Sequence, residues 1–278
     1  MVTACKNLKA WGGILMYACL LMLSCAQKAV LQQQSMSADI NVKPRLADID
    51  NLGRIYVVDE KNTIINYRPD FTEMYRYANN RKGQISSVDL TNPLKVVVFY
   101  DDFNHLKIFD NTLTLISELD LGDTFADVTA AAASNDGNLW IYDPVQFKIM
   151  KISENGKIMM ETTNVNDFGM TQLKVTSIKE KNNVLILCDP SKGFYFFDNL
   201  GQYLFHYTAK EIVHFQFDGN SIIYYTKEGL FSFSLKTKEK YSYDIHDLYE
   251  KDGIKYILLH DGSMYVVSNF GILKVKKN

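Results

Sequence analysis

Four aspartates recur at matched places in the sequence. Asp59, Asp101, Asp143 and Asp189 each close an apolar run: IYVVD, VVVFYD, LWIYD and VLILCD. A ring of such carboxylates could hold a divalent cation such as calcium, which takes oxygen ligands. The same residue at the same point of a repeated turn has a plainer use. An Asp side chain accepts backbone N–H groups a few residues on and so fixes the turn. Repetition favours this second account. Asp50 and Asp218, which precede Asn and Gly, are assigned to turns on the same grounds.

The other reactive side chains are scattered. The five histidines are His105, His206, His214, His246 and His260, with no HExxH phrase and no pair at metal-ligand spacing. No GxSxG, P-loop, GxGxxG or CxxC phrase occurs either. Cys5, Cys19 and Cys25 fall in the first 25 residues, so Cys188 is the one cysteine of the body and has no internal disulfide partner there. It sits in the run Val-Leu-Ile-Leu-Cys with no neighbouring cation, which describes a small buried hydrophobe better than an activated thiol. No cofactor or metal is assigned, and the residues favour a binding protein over an enzyme.

The elements that carry these residues repeat. GRIYVVDEKNTIINYRPD, LKVVVFYDDFNHLKIFDN, GNLWIYDPVQFKIMKISEN, NNVLILCDPSKGFYFFDN, NSIIYYTKEGLFSFSLKT and GSMYVVSNFGILKVKKN share one plan: an apolar run, a short polar break and a second run. Their first apolar residues are Ile55, Val96, Leu139, Val184, Ile222 and Met264, at intervals of 41, 43, 45, 38 and 42 residues. A period near 42 with strand character means propeller blades of four strands. Composition agrees: 17 Tyr and 16 Phe favour strands, and only five prolines interrupt them. Inner strands are predicted at 45–50, 85–90, 128–134, 173–179, 213–218 and 255–260. Outer strands are predicted at 73–77, 113–118, 158–162, 203–207 and 239–244. The four alanines from Ala130 to Ala133 suit an inner strand crowded against a narrow axis, although alanine also favours helix. The sixth repeat runs out of chain before an outer strand, so Ala38–Lys43 is expected to supply it and close the ring.

The phrases Asp50-Asn51-Leu52-Gly53-Arg54-Ile55-Tyr56-Val57-Val58-Asp59 and Asn135-Asp136-Gly137-Asn138-Leu139-Trp140-Ile141-Tyr142-Asp143 resemble the repeats of six-bladed propellers of the NHL type. The fifth and sixth repeats depart from the phrase, with Thr226 and Ser268 in place of the closing Asp. The resemblance covers residues 38–278 and implies an all-β, six-bladed β-propeller of four-stranded antiparallel blades, closed by an N-terminal strand. Metal-dependent, lactonase-like enzymes of this architecture draw acidic and amide ligands from the channel. The inner strands here offer Arg45, Ser86, Thr129, Lys174, His214 and Lys255 near their starts, which is short of acids. His214 and His260 alone among the histidines fall on inner strands, where a shared metal site is the alternative.

Residues 1–24 form a separate object. Lys6 and Lys9 precede an uncharged run of 14 residues from Ala10 to Leu23, too short for a bilayer and right for a signal peptide. Met22-Leu23-Ser24-Cys25 resembles the lipobox of bacterial lipoproteins, with Cys25 as the lipidated residue. Residues 25–37 are then a polar tether. Ala26-Gln27 after the cysteine resembles the outer-membrane sorting class.

The expected molecule is a lipid-anchored outer-membrane propeller, periplasmic or surface-exposed, held to the membrane by its lipid and serving as a protein-binding scaffold or accessory subunit of an envelope complex. In style it is similar to the propeller lipoproteins of barrel assembly. A formal charge of −2 gives no reason to propose nucleic acid. The candidate partner-binding patch is Asp101, Asp102, Phe103, His105 and Phe147, on loops between second and third strands. Those rings could instead fold back over their own blades. A channel-centred metal-dependent hydrolase and a carbohydrate-binding surface lipoprotein are the alternatives.

Overall fold

The computed structural model describes residues 39–276, apart from 79–82, 163, 171 and 250–252. The predicted leader, tether and lipidation site Cys25 lie outside the described residues.

Each repeat folds into one antiparallel sheet. Blade one is β1 (Pro44–Ile49), β2 (Ile55–Asp59), β3 (Thr63–Tyr67) and β4 (Glu73–Ala78). Blade two is β5 (Ser87–Asn92), β6 (Lys95–Tyr100), β7 (His105–Asp110) and β8 (Leu115–Asp120). Blade three is β9 (Ala130–Ala133), β10 (Leu139–Asp143), β11 (Lys148–Ile152) and β12 (Ile158–Glu161). Blade four is β13 (Ser177–Lys181), β14 (Val184–Asp189), β15 (Gly193–Asp198) and β16 (Tyr203–Thr208). Blade five is β17 (Ile212–Phe217), β18 (Ser221–Thr226), β19 (Gly229–Ser234) and β20 (Lys240–Tyr243). Blade six is β21 (Ile254–His260), β22 (Ser263–Ser268) and β23 (Ile272–Lys276). One short helix, α1 (His246–Tyr249), precedes blade six.

The strand positions follow from burial. Second and third strands are covered on both faces by neighbouring blades, so they read as unbroken apolar runs such as β10 and β15. Outer strands have one wet face and alternate, as in β16, YLFHYT. The core is divided into clusters at the seams between blades: Tyr56 and Val58 pack against Val96 and Val98 of the next blade, and Phe194 and Phe196 against Phe215 and Tyr224.

Polar side chains lock the seams. Glu180 of β13 accepts from Ser134 Oγ at 2.6 Å and from Trp140 Nε1, joining blade four to blade three. Arg54 binds Asp50 at 2.6 Å and reaches the Pro93 carbonyl of blade two at 2.6 Å. In the turn between them, Gly53 has φ of +76°, and a Cβ there would stand 2.9 Å from His260 Nε2. The left-handed backbone favours glycine there, and any other residue would also have to displace the His260 ring.

The alanine run is a strand, and all four residues are buried. Their small side chains let the inner strands of blades two and four approach each other beside β9. Closure is present but shorter than expected. Ile40 forms one antiparallel bridge with Ile272, with N–H···O bonds of 3.1 and 3.0 Å, and Asp39 Oδ2 accepts from Lys274 N at 2.8 Å.

Ile40 is 2% exposed and belongs to the core cluster between blades six and one. Ile40→Ala is expected to cost about 2–5 kcal/mol in urea unfolding, the range for truncating a buried Ile. A loss under about 0.5 kcal/mol, typical of surface changes, would show that this bridge does not hold the ring.

Candidate functional site

All six inner strands begin on one face, here called upper, which also carries the blade-to-blade loops and the turns between second and third strands. Side chains that alternate away from the seams point at the axis. In β1, Ala47 and Ile49 enter the core, so Asp48 between them faces the channel. In β13, Ile178 and Glu180 face blade three, so Lys179 faces the channel from the opposite side of the ring. Lys179 Nζ donates to Asp48 Oδ2 at 2.7 Å, and both residues are 8% exposed.

Every blade contributes to the network around this pair. From blade two, Asp89 Oδ2 accepts from Ala133 N of blade three at 2.9 Å. From blade five, His214 Nε2 lies 3.7 Å from Asp48 Oδ1, and its ring stacks on Tyr256 of blade six with centroids 4.4 Å apart. Tyr256 Oη donates to the Ala47 carbonyl at 3.0 Å and accepts from Ala47 N at 2.6 Å. Gln216 of blade five bonds both the N–H and the carbonyl of Leu259 in blade six.

Charge and burial set the protonation of these groups. Burial opposes ionisation of Asp48, but the Lys179 ammonium and His214 outweigh it and hold the carboxyl well below the usual range. Burial also opposes the Lys179 charge, and Asp48 with Asp89 overcomes it, so the ammonium titrates above its ordinary value. For Asp89 burial prevails over the attraction of Lys179, and its carboxyl is raised.

The ion pair divides the channel. Above it is a chamber of about 220 Å³ whose walls include Leu46, Val88, Ile212, Phe215 and Tyr256. Below it is a chamber of about 460 Å³ lined by Asp50, Lys181, Asp218, Tyr243, His260 and Met264. His214 belongs to the upper chamber and His260 to the lower, so the structure does not bring the two inner-strand histidines together.

The recurrent acids close turns. Asp59 Oδ1 accepts from Lys61 N and Thr63 N, Asp143 Oδ1 from Val145 N and Gln146 N, and Asp189 Oδ1 from Ser191 N. Burial pushes the Cys188 thiol well up, with Asp189 adding to the effect. Of the candidate patch, Asp101, Asp102 and Phe103 form an exposed 3-10 turn, and Phe103 is 54% exposed. Phe147 stands at the turn between β10 and β11 with φ of +54° and is 36% exposed. His105 is not on that surface. It opens β7, is 2% exposed and lies 3.3 Å from Glu118 Oε2. One residue beyond the turn the chain has entered a third strand covered on both faces, and its ring is buried there. Val145, on the same loop as Phe147, is 58% exposed, and the sequence reading missed Phe270, at 65%, as a further apolar member of the upper face. It also missed Asp48, Asp89 and Lys179. The signal available was a charge at an alternate position of an inner strand.

No family model matches the chain, and no curated protein matches it in sequence. Solved structures do. A streptogramin B lyase is similar at 14% identity, over 84% of this chain and 78% of that one, with a TM-score of 0.55. Virginiamycin B lyase of Staphylococcus aureus is similar at 12% identity, over 86% and 85%, with a TM-score of 0.55. The WD40 domain of Pan2 from Neurospora crassa is similar at 10% identity, over 90% and 82%, with a TM-score of 0.53. At such identities the likeness shows the fold alone: the chain is a six-bladed β-propeller.

Asp48→Ala removes the hydrogen-bond acceptor of the buried Lys179 ammonium and leaves Asp89 as the carboxylate still acting on it, and is expected to cost about 3–5 kcal/mol. Asp48→Leu with Lys179→Met should recover most of that loss, read as a coupling energy in a double-mutant cycle. A double variant whose loss equals the sum of the Asp48→Leu and Lys179→Met single losses would show that the pair is not coupled. Asp48 titrates lower in the folded protein than in the unfolded chain. Its contribution is therefore complete above about pH 4 and falls away in more acid solution. Asp89, being raised, acts in the opposite direction. The difference between wild type and Asp48→Asn isolates the first effect, and it should shrink as pH falls from about 4.

Proposed function

We propose that this propeller is a lipid-anchored protein of the cell envelope that docks a protein partner on its upper face, as a scaffold or accessory subunit of an outer-membrane complex. One observation carries the proposal. Phe103, Val145, Phe147 and Phe270 stand at the upper turns of blades two, three and six with their apolar surface in water. Aromatic anchors with polar neighbours are the usual centres of protein interfaces. Asp101 and Asp102 supply such neighbours beside Phe103. The rings sit on tight turns between buried strands, so little order is lost when a partner covers them. The anchor rests on the sequence: a cationic start, a short apolar run and Ser24-Cys25, followed by a polar segment able to span roughly 20 Å.

A channel-centred hydrolase has less support. Asp48 already accepts from Ile49 N and Lys179, and Asp89 from Thr91 and Ala133, so both carboxylates are committed to protein donors.

Affinity capture from detergent-solubilised membranes tests the docking face. Wild type is expected to retain a stoichiometric envelope protein that Phe103→Ala/Phe270→Ala loses, with unfolding free energy changed by less than about 0.5 kcal/mol. Undiminished capture by that variant would overturn the assignment of the face. Cys25→Ser should move the protein from the membrane to the soluble fraction, and persistence in the membrane would refute the lipid anchor.

A further inference from the structure

The upper chamber holds donors that the protein does not use. The Lys179 ammonium carries three N–H donors. Its one hydrogen-bond acceptor among the described residues is Asp48 Oδ2, and the residue is more than nine-tenths buried. Its neighbour His214 has a buried Nε2 with no hydrogen-bond partner, since Asp48 Oδ1 at 3.7 Å is beyond bonding distance. The hydroxyls of Ser87, Thr176 and Ser177 line the same chamber, and none has a protein partner among the described residues. Ser86 differs, because its hydroxyl is spent on the Phe99 carbonyl and Asp101 N. Thr176 is exposed and Ser87 and Ser177 are half-buried, so their hydroxyls are accessible from the mouth of the chamber. The buried His214 Nε2 is the atom whose open state is costly unless a guest or water completes it.

The charges select the guest. Asp48 and Asp89 face the Lys179 ammonium and the His214 ring, so positive charge on the floor is already matched by carboxylates and none is in surplus to hold an anion. Their oxygens are already bonded, which leaves no open carboxylate for a cation. What remains is a floor of N–H donors, a rim of hydroxyls that both give and accept, and apolar walls from Leu46, Val88 and Ile212. At about 220 Å³ the chamber is smaller than the ~300–1,000 Å³ of drug-sized sites. The guest is therefore compact, uncharged, rich in oxygen acceptors and able to lay C–H surface on an apolar wall.

We propose that the upper chamber is a binding site for a neutral monosaccharide-sized polyol, seated with an oxygen on Lys179 Nζ and its hydroxyls on Ser87, Thr176 and Ser177. The site is separate from the loop aromatics of the docking face and does not depend on their role.

The test is calorimetric titration of the purified propeller with glucose, galactose, mannose and N-acetylglucosamine, alongside glucuronate and glucosamine as charged controls. At least one neutral sugar is expected to bind with one-to-one stoichiometry, more tightly than either charged control. Ser177→Leu, which places a branched side chain in the chamber, should abolish binding. Thr176→Val, at an exposed and readily tolerated position, should weaken it about ten-fold, equivalent to one lost hydrogen-bonding group. Circular dichroism of both variants confirms folding, and if Ser177→Leu fails to fold the Thr176→Val result decides. Absence of saturable binding by all four neutral sugars at millimolar concentration would overturn the proposal. So would tighter binding of a charged control, or affinity unchanged by Thr176→Val.

Discussion

The ring depends on one electrostatic contact across its axis. Asp48 of blade one meets Lys179 of blade four, its diametric opposite. A propeller is otherwise held by neighbour-to-neighbour seams, and no seam relates opposite blades. Bringing two charges out of water gains little net stability. What the pair supplies is registration. It fixes how far the inner strands converge, and Tyr256, Gln216 and Asp89 tie the neighbouring blades to the same centre. It also makes the channel two blind chambers. Blade three, with its alanines, lines neither chamber and lets its neighbours close ranks beside it.

Much of the architecture was legible because burial leaves a periodic trace. Runs such as LWIYD and FYFFD are apolar throughout because both faces are covered, and β16 alternates because one face is wet. The turn acids could be assigned for a local reason: a carboxylate that accepts the N–H groups of the next few residues needs no partner elsewhere. The inner strands were harder. β13 begins at Ser177, four residues later than expected, because the connection from blade three takes in the 3-10 turn at Val165–Phe168 and packs Met170 and Leu173 into the seam before entering the strand. That shift moves Lys179 from the end of a strand to its middle.

The channel was hidden for a different reason. Asp48 and Lys179 are 131 residues apart, and nothing local marks either as a partner of the other. A sequence shows that a strand carries a charge on its inward side. It does not show which charge faces it from across a ring. His105 fails in the other direction. It adjoins an exposed turn, so proximity in sequence placed it on the surface, whereas β7 is a third strand covered on both faces, which buries its first residue. The exposed rings of Phe103 and Phe147 were recoverable because tight turns leave large side chains little to pack against.

Among the described residues, one rung between Ile40 and Ile272 joins the two ends of the ring. Five blades are contiguous in the chain and can form as each is completed. The sixth sheet is the exception, because its last neighbour was made at the very beginning. Ile40 must wait, unsheltered, until more than two hundred further residues have been synthesised. A polypeptide built this way keeps its ring open until its last sheet is made. Its maturation is a single terminal snap rather than a gradual accretion.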